Sequence, residues 1–497
     1  MKKTWKMADK PILIASISIC ICFIIWMLIA PDIVRHVFSS ILSGFSTSFG
    51  WFYLLVVSLF LILMIYFTFS KFGKICLGKD GEKPQYSTFS WFFMLFCAGM
   101  GIGLVFWGAA EPLSHYLWPP TGIGRTSNAA SEAMRITFFH WGINAWTIYG
   151  VFGLPLAYYQ FRKGKPALFS SCLEPLISEK GTKGILGKIV DTLTVIATIF
   201  GVATSLGMGA MQINSGLYYV FGIPYNNTVT FGIITITTIV FILSSVSGID
   251  KGIKILSNVN MLLMAIILLF IFFAGSTLFL TKFFVDSLGK YLSSIISSCF
   301  WTDPFGDSGA WLNNWTIFYW AWWLSWAPFV GGFIARISKG RTIREFILGT
   351  ILFPSVFCFL FMTIMGGSAI DFDMNGVTVI ADALNENIAY TLFALLQQLP
   401  LAKLLSLLAT ILIFIFFITS ADSSTFVCAM MTSKGVQNPP SMLKVSWGIF
   451  VAAVASLLLY VGGLDALQSV CIAIAFPLLF LCLAILGALL KALKEEI

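Results

Sequence analysis

The sequence predicts an all-α, polytopic membrane protein of twelve transmembrane helices, and three observations carry that prediction. Of its 497 residues, 58% are hydrophobic and 10% charged, against about 25% charged in a soluble domain. Apolar runs recur at 11–30, 51–70, 88–110, 138–160, 188–217, 227–247, 255–281, 312–337, 346–367, 400–430, 443–462 and 467–490. Each is long enough for an α-helix to cross a hydrocarbon core of about 30 Å. Positive charge alternates along the connections: all but six of the 30 lysines and arginines lie at the N-terminus, the C-terminus or every second connection. The six are Arg35, Arg125, Arg135, Lys282, Lys290 and Lys403. The positive-inside bias places both termini in the cytoplasm and requires an even number of spans in the cell membrane.

The same distribution accounts for the net charge of +8 without a nucleic-acid partner. The ten cysteines mostly occupy apolar runs, and none forms a CxxC pair with metal spacing. They read as small apolar residues. His36, His115 and His140 are scattered, so the sequence offers neither a metal site nor a catalytic constellation, and an enzyme is not expected. A single transmembrane domain, 1–497, is expected, with no separate soluble unit.

In chain order, Lys2, Lys3, Lys6 and Lys10 precede the first apolar run, which ends at Pro31-Asp32 without a small-x-small cleavage pattern. This reads as a retained first span. The third run contains Gly99-Met100-Gly101-Ile102-Gly103. Each glycine in a helix interior costs roughly 1 kcal/mol against alanine, and together they permit an unwound backbone whose free carbonyls can hold an ion. Close helix packing through Gly99 and Gly103 is the alternative. Glu111-Pro112 reads as the outer end of this span. The fourth run carries His140, Trp141, Asn144, Trp146 and Tyr149, as expected either of core packing or of a wall facing other aromatics. Asp191, at the start of the fifth run, reads as paired with the nearby basic loop.

Phe283–Ser298 is amphipathic and expected on the outer surface. The eighth run holds Tyr319, Trp322, Trp323 and Trp326, which fall on one helical face at i, i+3, i+4 and i+7. A wall of indoles at membrane depth can bind a cation through ring quadrupoles. An interfacial aromatic belt is the competing explanation, but these rings lie about three turns before the basic end at Arg336, Lys339, Arg341 and Arg344. Asp371–Glu386 is an acidic outer segment. The tenth run ends in Phe416, Thr419, Ser420, Asp422, Ser423, Ser424 and Thr425. Hydroxyls at Thr419 and Ser420 are hard-oxygen ligands suited to an alkali cation, unless they merely bond back to their own helix.

The stretch YWAWWLSWAPFVGGFIARISKGRTIREF from Tyr319 to Phe346, with GMGIGLVFWGAAEP and ITSADSST, resembles the betaine/carnitine/choline transporter family over nearly the whole chain. The resemblance implies a LeuT-like core of two inverted five-helix repeats, about 88–281 and about 312–490, with the first two spans peripheral. It also implies a homotrimer to which the amphipathic segment contributes. By matched position, Trp141, Trp146, Tyr149 and Trp323 would form a box for a trimethylammonium group, with Trp322 and Trp326 along the permeation path. A sodium site would draw on Cys97, Met100, Phe416, Thr419 and Ser420. Gly103 and Val330 match the sodium-coupled members better than the proton-coupled or exchanging ones. A second sodium site would use Thr198 and Phe329, but Val202 stands where the family places another threonine. The resemblance thus implies sodium-coupled uptake of glycine betaine. An ion-independent exchanger of carnitine-like betaines and a choline transporter are the rivals.

Overall fold

The computed structural model describes residues 7–99, 101–247 and 250–496. Its main helices are α1 (Lys10–Ile29), α2 (Pro31–Phe69), α3 (Thr88–Gly99), α4 (Ile102–Leu117), α5 (Ser127–Trp141), α6 (Ile143–Ala157), α7 (Ile185–Phe221), α8 (Asn227–Ser247), α9 (Asp250–Ala274), α10 (Thr277–Cys299), α11 (Phe318–Ile337), α12 (Ile343–Met374), α13 (Ala402–Met431) and α14 (Ser441–Lys494). The described residues contain no strand, only an isolated bridge between Cys76 and Thr342.

Eight helices among the described residues are long and apolar enough to cross a membrane. They do not include the apolar runs 88–110, 138–160 and 312–337, each for a structural reason. The first is divided into α3 and α4 at Gly101, whose backbone is extended at φ −145° and ψ −154°. The second is divided into α5 and α6 at Gly142, a break that the sequence reading did not foresee. The third is α11, whose many indoles lower its hydropathy. Conversely, α14 counts once but runs for 54 residues. A straight helix of that length would extend about 80 Å, far beyond a bilayer core. It is broken at Gly462 and at Gly463, where φ is +58° and ψ −136°, between the runs 443–462 and 467–490. A left-handed φ of this kind costs glycine little and other residues much.

Several contacts hold the broken pieces in place. α10 lies against α5 and α12 and buries Leu280, Phe283, Ser287 and Tyr291 along one face. The Ile143 N–H, orphaned at the start of α6, donates to the Tyr291 hydroxyl at 3.3 Å. Asn144, one residue on, donates to Cys299 Sγ at 3.3 Å. The amphipathic helix therefore supports the second break directly. At the other end of α11, Arg341 lies with its guanidinium 4.2 Å from the Trp91 ring centre and donates to the Tyr86 carbonyl at 3.0 Å. This fastens the entry to α3 to the basic loop after α11.

Candidate functional site

The aromatic side chains of α5, α6 and α11 converge. Trp141 and Trp323 meet edge to face with ring centres 4.9 Å apart. Tyr149 meets Trp323 at 6.0 Å, and Trp146 meets Tyr149 at 5.4 Å. Trp322 stacks on Trp323 at 4.6 Å and 17°, with Phe318 behind it at 5.6 Å. Tyr319 completes the cluster, 5.6 Å from Trp141 and 5.7 Å from Trp323. All of these rings are buried. They touch one another, so a ligand must part them to enter.

Polar tips fix the rings. Helix ends leave carbonyls without an intrahelical partner, and the break at Gly142 supplies one. The Trp323 indole N–H donates to the His140 carbonyl at 3.0 Å. Trp326 donates to the Gly201 carbonyl of α7 at 2.8 Å. That approach needs glycine, because a Cβ at Gly201 would stand 2.8 Å from Ser325 Oγ and 3.0 Å from its carbonyl. The Tyr149 hydroxyl and the Trp322 N–H are buried without a hydrogen-bond partner, so two polar groups remain for a ligand or water.

Behind Trp141 and Tyr319 lies a group that sequence reasoning missed. The sequence suggests an acid at the outer end of a helix at Glu111; the residue is fully buried within α4. One carboxylate oxygen faces His140 Nδ1 at 2.7 Å and His115 Nε2 at 3.3 Å. The other accepts from the Trp141 indole N–H at 2.6 Å and from the Tyr319 hydroxyl. Two of the three histidines, scattered in the sequence, thus meet at one carboxylate. Ligand atoms of Glu111, His115 and His140 lie within 4.8 Å of one another, close enough to share a metal ion. Their contacts are those of a hydrogen-bonded network. No sequence motif announces it, because its members come from three helices.

Of the proposed ion ligands, Met100 lies outside the described residues, as does the Cys97 side chain; the Cys97 backbone is in the last turn of α3. The break nevertheless faces α13. A Cβ at Gly101 would stand 3.6 Å from Ser420 Oγ and 3.6 Å from the Trp326 indole. Thr419 Oγ1 donates to the Ile415 carbonyl at 3.0 Å and the Phe416 carbonyl at 3.3 Å, which is the back-bonding that the sequence left open. Its lone pairs are not consumed by donating. Gly103 lies within the first turn of α4 rather than in the break, and an added Cβ there would collide with the Trp322 ring. Thr198 donates to its own helix at Thr194, 2.8 Å away, while Phe329 packs on Trp326 at 5.6 Å. Val202 is fully buried and offers no oxygen. Thr204 is engaged with α14, donating to the Leu467 carbonyl at 3.1 Å.

At the basic end of α11, a cleft of about 540 Å³ opens among Gln160, Arg336, Asp422, Ser423, Phe426 and Lys444. It lies between α11, α13 and the first turn of α14, with Ser423 of α13 in its wall.

An all-helical, multi-pass membrane protein with broken helices meeting at a buried aromatic cluster has the architecture of a solute carrier. The chain belongs to the betaine/carnitine/choline transporter family: the family profile matches residues 11–497. It is therefore a member of a transporter family and not an enzyme. It is 48% identical over 482 residues to the glycine betaine transporter OpuD of Bacillus subtilis (strain 168), covering 97% of this chain and 93% of that one. It is 44% identical over 488 residues to a probable glycine betaine transporter of Desulfitobacterium hafniense (strain Y51), covering 98% and 97%. The osmo-dependent choline transporter BetT2 of Acinetobacter baylyi (strain ATCC 33305 / BD413 / ADP1) is 37% identical over 492 residues, covering 98% of this chain and 72% of that one.

Proposed function

We propose that this protein is a secondary transporter that brings glycine betaine into the cell with sodium. The observation that carries this reading is the convergence of Trp141, Trp146, Tyr149 and Trp323 from two pieces of a broken helix and from α11. Such a site suits a quaternary ammonium, which is weakly hydrated, carries no N–H donor and binds ring faces by cation–π attraction. The names of two relatives, at 48% and 44% identity, point to the same substrate, whereas a third at 44% is named as an ectoine/hydroxyectoine transporter.

In this reading the chain crosses the cell membrane twelve times with both termini in the cytoplasm. The core is two inverted repeats, about 88–281 and about 312–490, and three copies assemble. The basic ends of α11 and α14 support that orientation, and the cleft at Arg336 and Asp422 is the inward route. Sodium sits between the α3–α4 break and the Thr419 and Ser420 hydroxyls; the nearness of Gly101 to Ser420 supports this placement. The test is uptake of labelled glycine betaine by proteoliposomes with and without a sodium gradient, with choline, carnitine and a sulfonium analogue as competitors. Sodium-driven uptake that choline competes weakly is the expected result. Betaine exchange indifferent to sodium would replace the symporter with an exchanger.

A further inference from the structure

The hydrogen-bond pattern at Glu111 says more than that it is buried. An indole N–H can only donate, so the oxygen 2.6 Å from Trp141 Nε1 is an acceptor. The Tyr319 hydroxyl donates to that same oxygen. The second oxygen takes the two imidazoles. A carboxylate offers about four lone-pair sites when ionised, and here four groups address them. With Glu111 ionised, these bonds are charge-assisted. The partners are two imidazoles, an indole and a phenol, with no lysine or arginine among them, so with both imidazoles neutral nothing in the cluster offsets the negative charge. It lies directly behind the rings of Trp141 and Tyr319, which pack at 4.9 Å and 5.7 Å from Trp323.

We propose that Glu111 is a positioning and specificity-determining residue: it holds the Trp141 and Tyr319 walls by their polar edges and gives the aromatic site a negative charge that selects a quaternary ammonium over a neutral group of the same shape. The proposal rests on the reading of the site as an onium site. An anion accepting the indole N–H draws positive charge toward the ring edge and leaves the ring face richer in electrons. It also attracts a cation through the low-dielectric interior. The box is then not free of a counter-charge, as ring quadrupoles alone would allow; the counter-charge stands one ring behind.

The test compares glycine betaine with 3,3-dimethylbutanoate, which keeps the carboxylate and three methyl groups but has carbon in place of the charged nitrogen. Binding is read on purified full-length protein by tryptophan fluorescence or competition. Glu111→Gln is the informative variant. The glutamine carbonyl can still accept from Trp141 and Tyr319, and its amide can donate to the imidazole nitrogens. The bonds survive and the charge does not. Betaine affinity is expected to fall roughly tenfold, the scale of a carboxylate–cation attraction across a ring at an effective protein dielectric. The carbon isostere, itself a net anion, should bind no more weakly than to wild type. Equal loss for both ligands would mean a purely structural role and would overturn the proposal, as would an unaltered betaine affinity. Wild-type protein that binds no betaine would remove the functional reading itself, and the proposal with it; betaine binding with an indifferent Glu111→Gln removes only the proposal. Should that variant not fold, Trp141→Phe severs the same link while keeping a ring, and an unchanged betaine-to-isostere ratio there would likewise overturn it.

Discussion

The indole N–H of Trp323 donates to the main-chain carbonyl of His140 across 3.0 Å. That carbonyl belongs to the last turn of α5, where the break at Gly142 interrupts the helical ladder. The break therefore does two things at once. It turns Trp141 away from the line of Trp146 and Tyr149, and it supplies the acceptor that sets the orientation of the fourth ring. The site is built from a discontinuity, and α11 closes it.

Trp323→Leu should lose binding beyond what lost packing explains. Leucine keeps apolar contact but removes a cation–π term worth about 2 kcal/mol when desolvated, which is roughly thirtyfold in affinity. It also leaves the His140 carbonyl unpaired, at a cost of about 1 kcal/mol or more in stability. Trp323→Phe should keep part of the binding but not the bond to His140. Betaine affinity measured beside thermal stability separates the two effects, and wild-type affinity in Trp323→Leu would refute the site.

Gly103→Ala tests the packing behind the box. The added methyl would collide with the outer ring of Trp322, whose Cζ2 would lie only 2.9 Å from it. Trp322 cannot yield alone, since it is stacked between Phe318 and Trp323. Overpacking of this kind costs typically about 1–3 kcal/mol, and the displaced stack should weaken betaine uptake. Gly103→Asp meets the same obstruction. Any proton-coupled choline uptake it gains must therefore come with a displaced Trp322. Unchanged melting temperature and unchanged half-saturation in Gly103→Ala would show that the neighbours adapt freely.

These positions also show what the sequence made legible. The indole face of α11 could be read because the helical period puts Tyr319, Trp322, Trp323 and Trp326 on one side. The α3–α4 break was signalled by three alternating glycines, although only Gly101 among them is described in an extended backbone. The break at Gly142 gave no such signal, because one glycine within an apolar run reads as a tolerated helix residue. Glu111 was misplaced for a related reason. Its partners stand 29, 30 and 208 residues away, so periodicity could not bring them together. Only the His115 contact, at i+4, was local enough to be found.

Arg341→Lys should destabilise the protein while preserving charge. The guanidinium lies over the Trp91 ring and bonds the Tyr86 carbonyl, and an ammonium reproduces neither the planar stack nor the forked geometry. A loss of about 1–2 kcal/mol is expected from the stacked contact and one hydrogen bond. Thermal unfolding in detergent should show a lower midpoint, with betaine affinity of the folded fraction close to wild type. A midpoint equal to wild type would show that this loop does not anchor α3.

The last prediction concerns coupling. A Cβ at Gly101 would stand 3.6 Å from Ser420 Oγ, so α4 and α13 are close where the backbone unwinds. If sodium binds there, it joins the two helices, and it favours whichever state brings them together. A ligand shifts an equilibrium only by its differential affinity for the two states. Sodium should then tighten betaine binding, and betaine should tighten sodium binding by the same factor. Thr419→Val with Ser420→Ala removes both hydroxyls and leaves the aromatic rings untouched. The sodium concentration for half-maximal uptake should rise, while betaine affinity at saturating sodium stays near wild type. At the second position Val202 offers no oxygen, and the Thr204 hydroxyl is turned to Leu467 and Cys471 of α14. One strongly coupled sodium per betaine is therefore expected. Parallel fluxes of labelled sodium and labelled betaine in proteoliposomes give the ratio directly. A value near two would overturn the argument from Val202, and an unaltered sodium dependence in the double variant would move the ion away from α13.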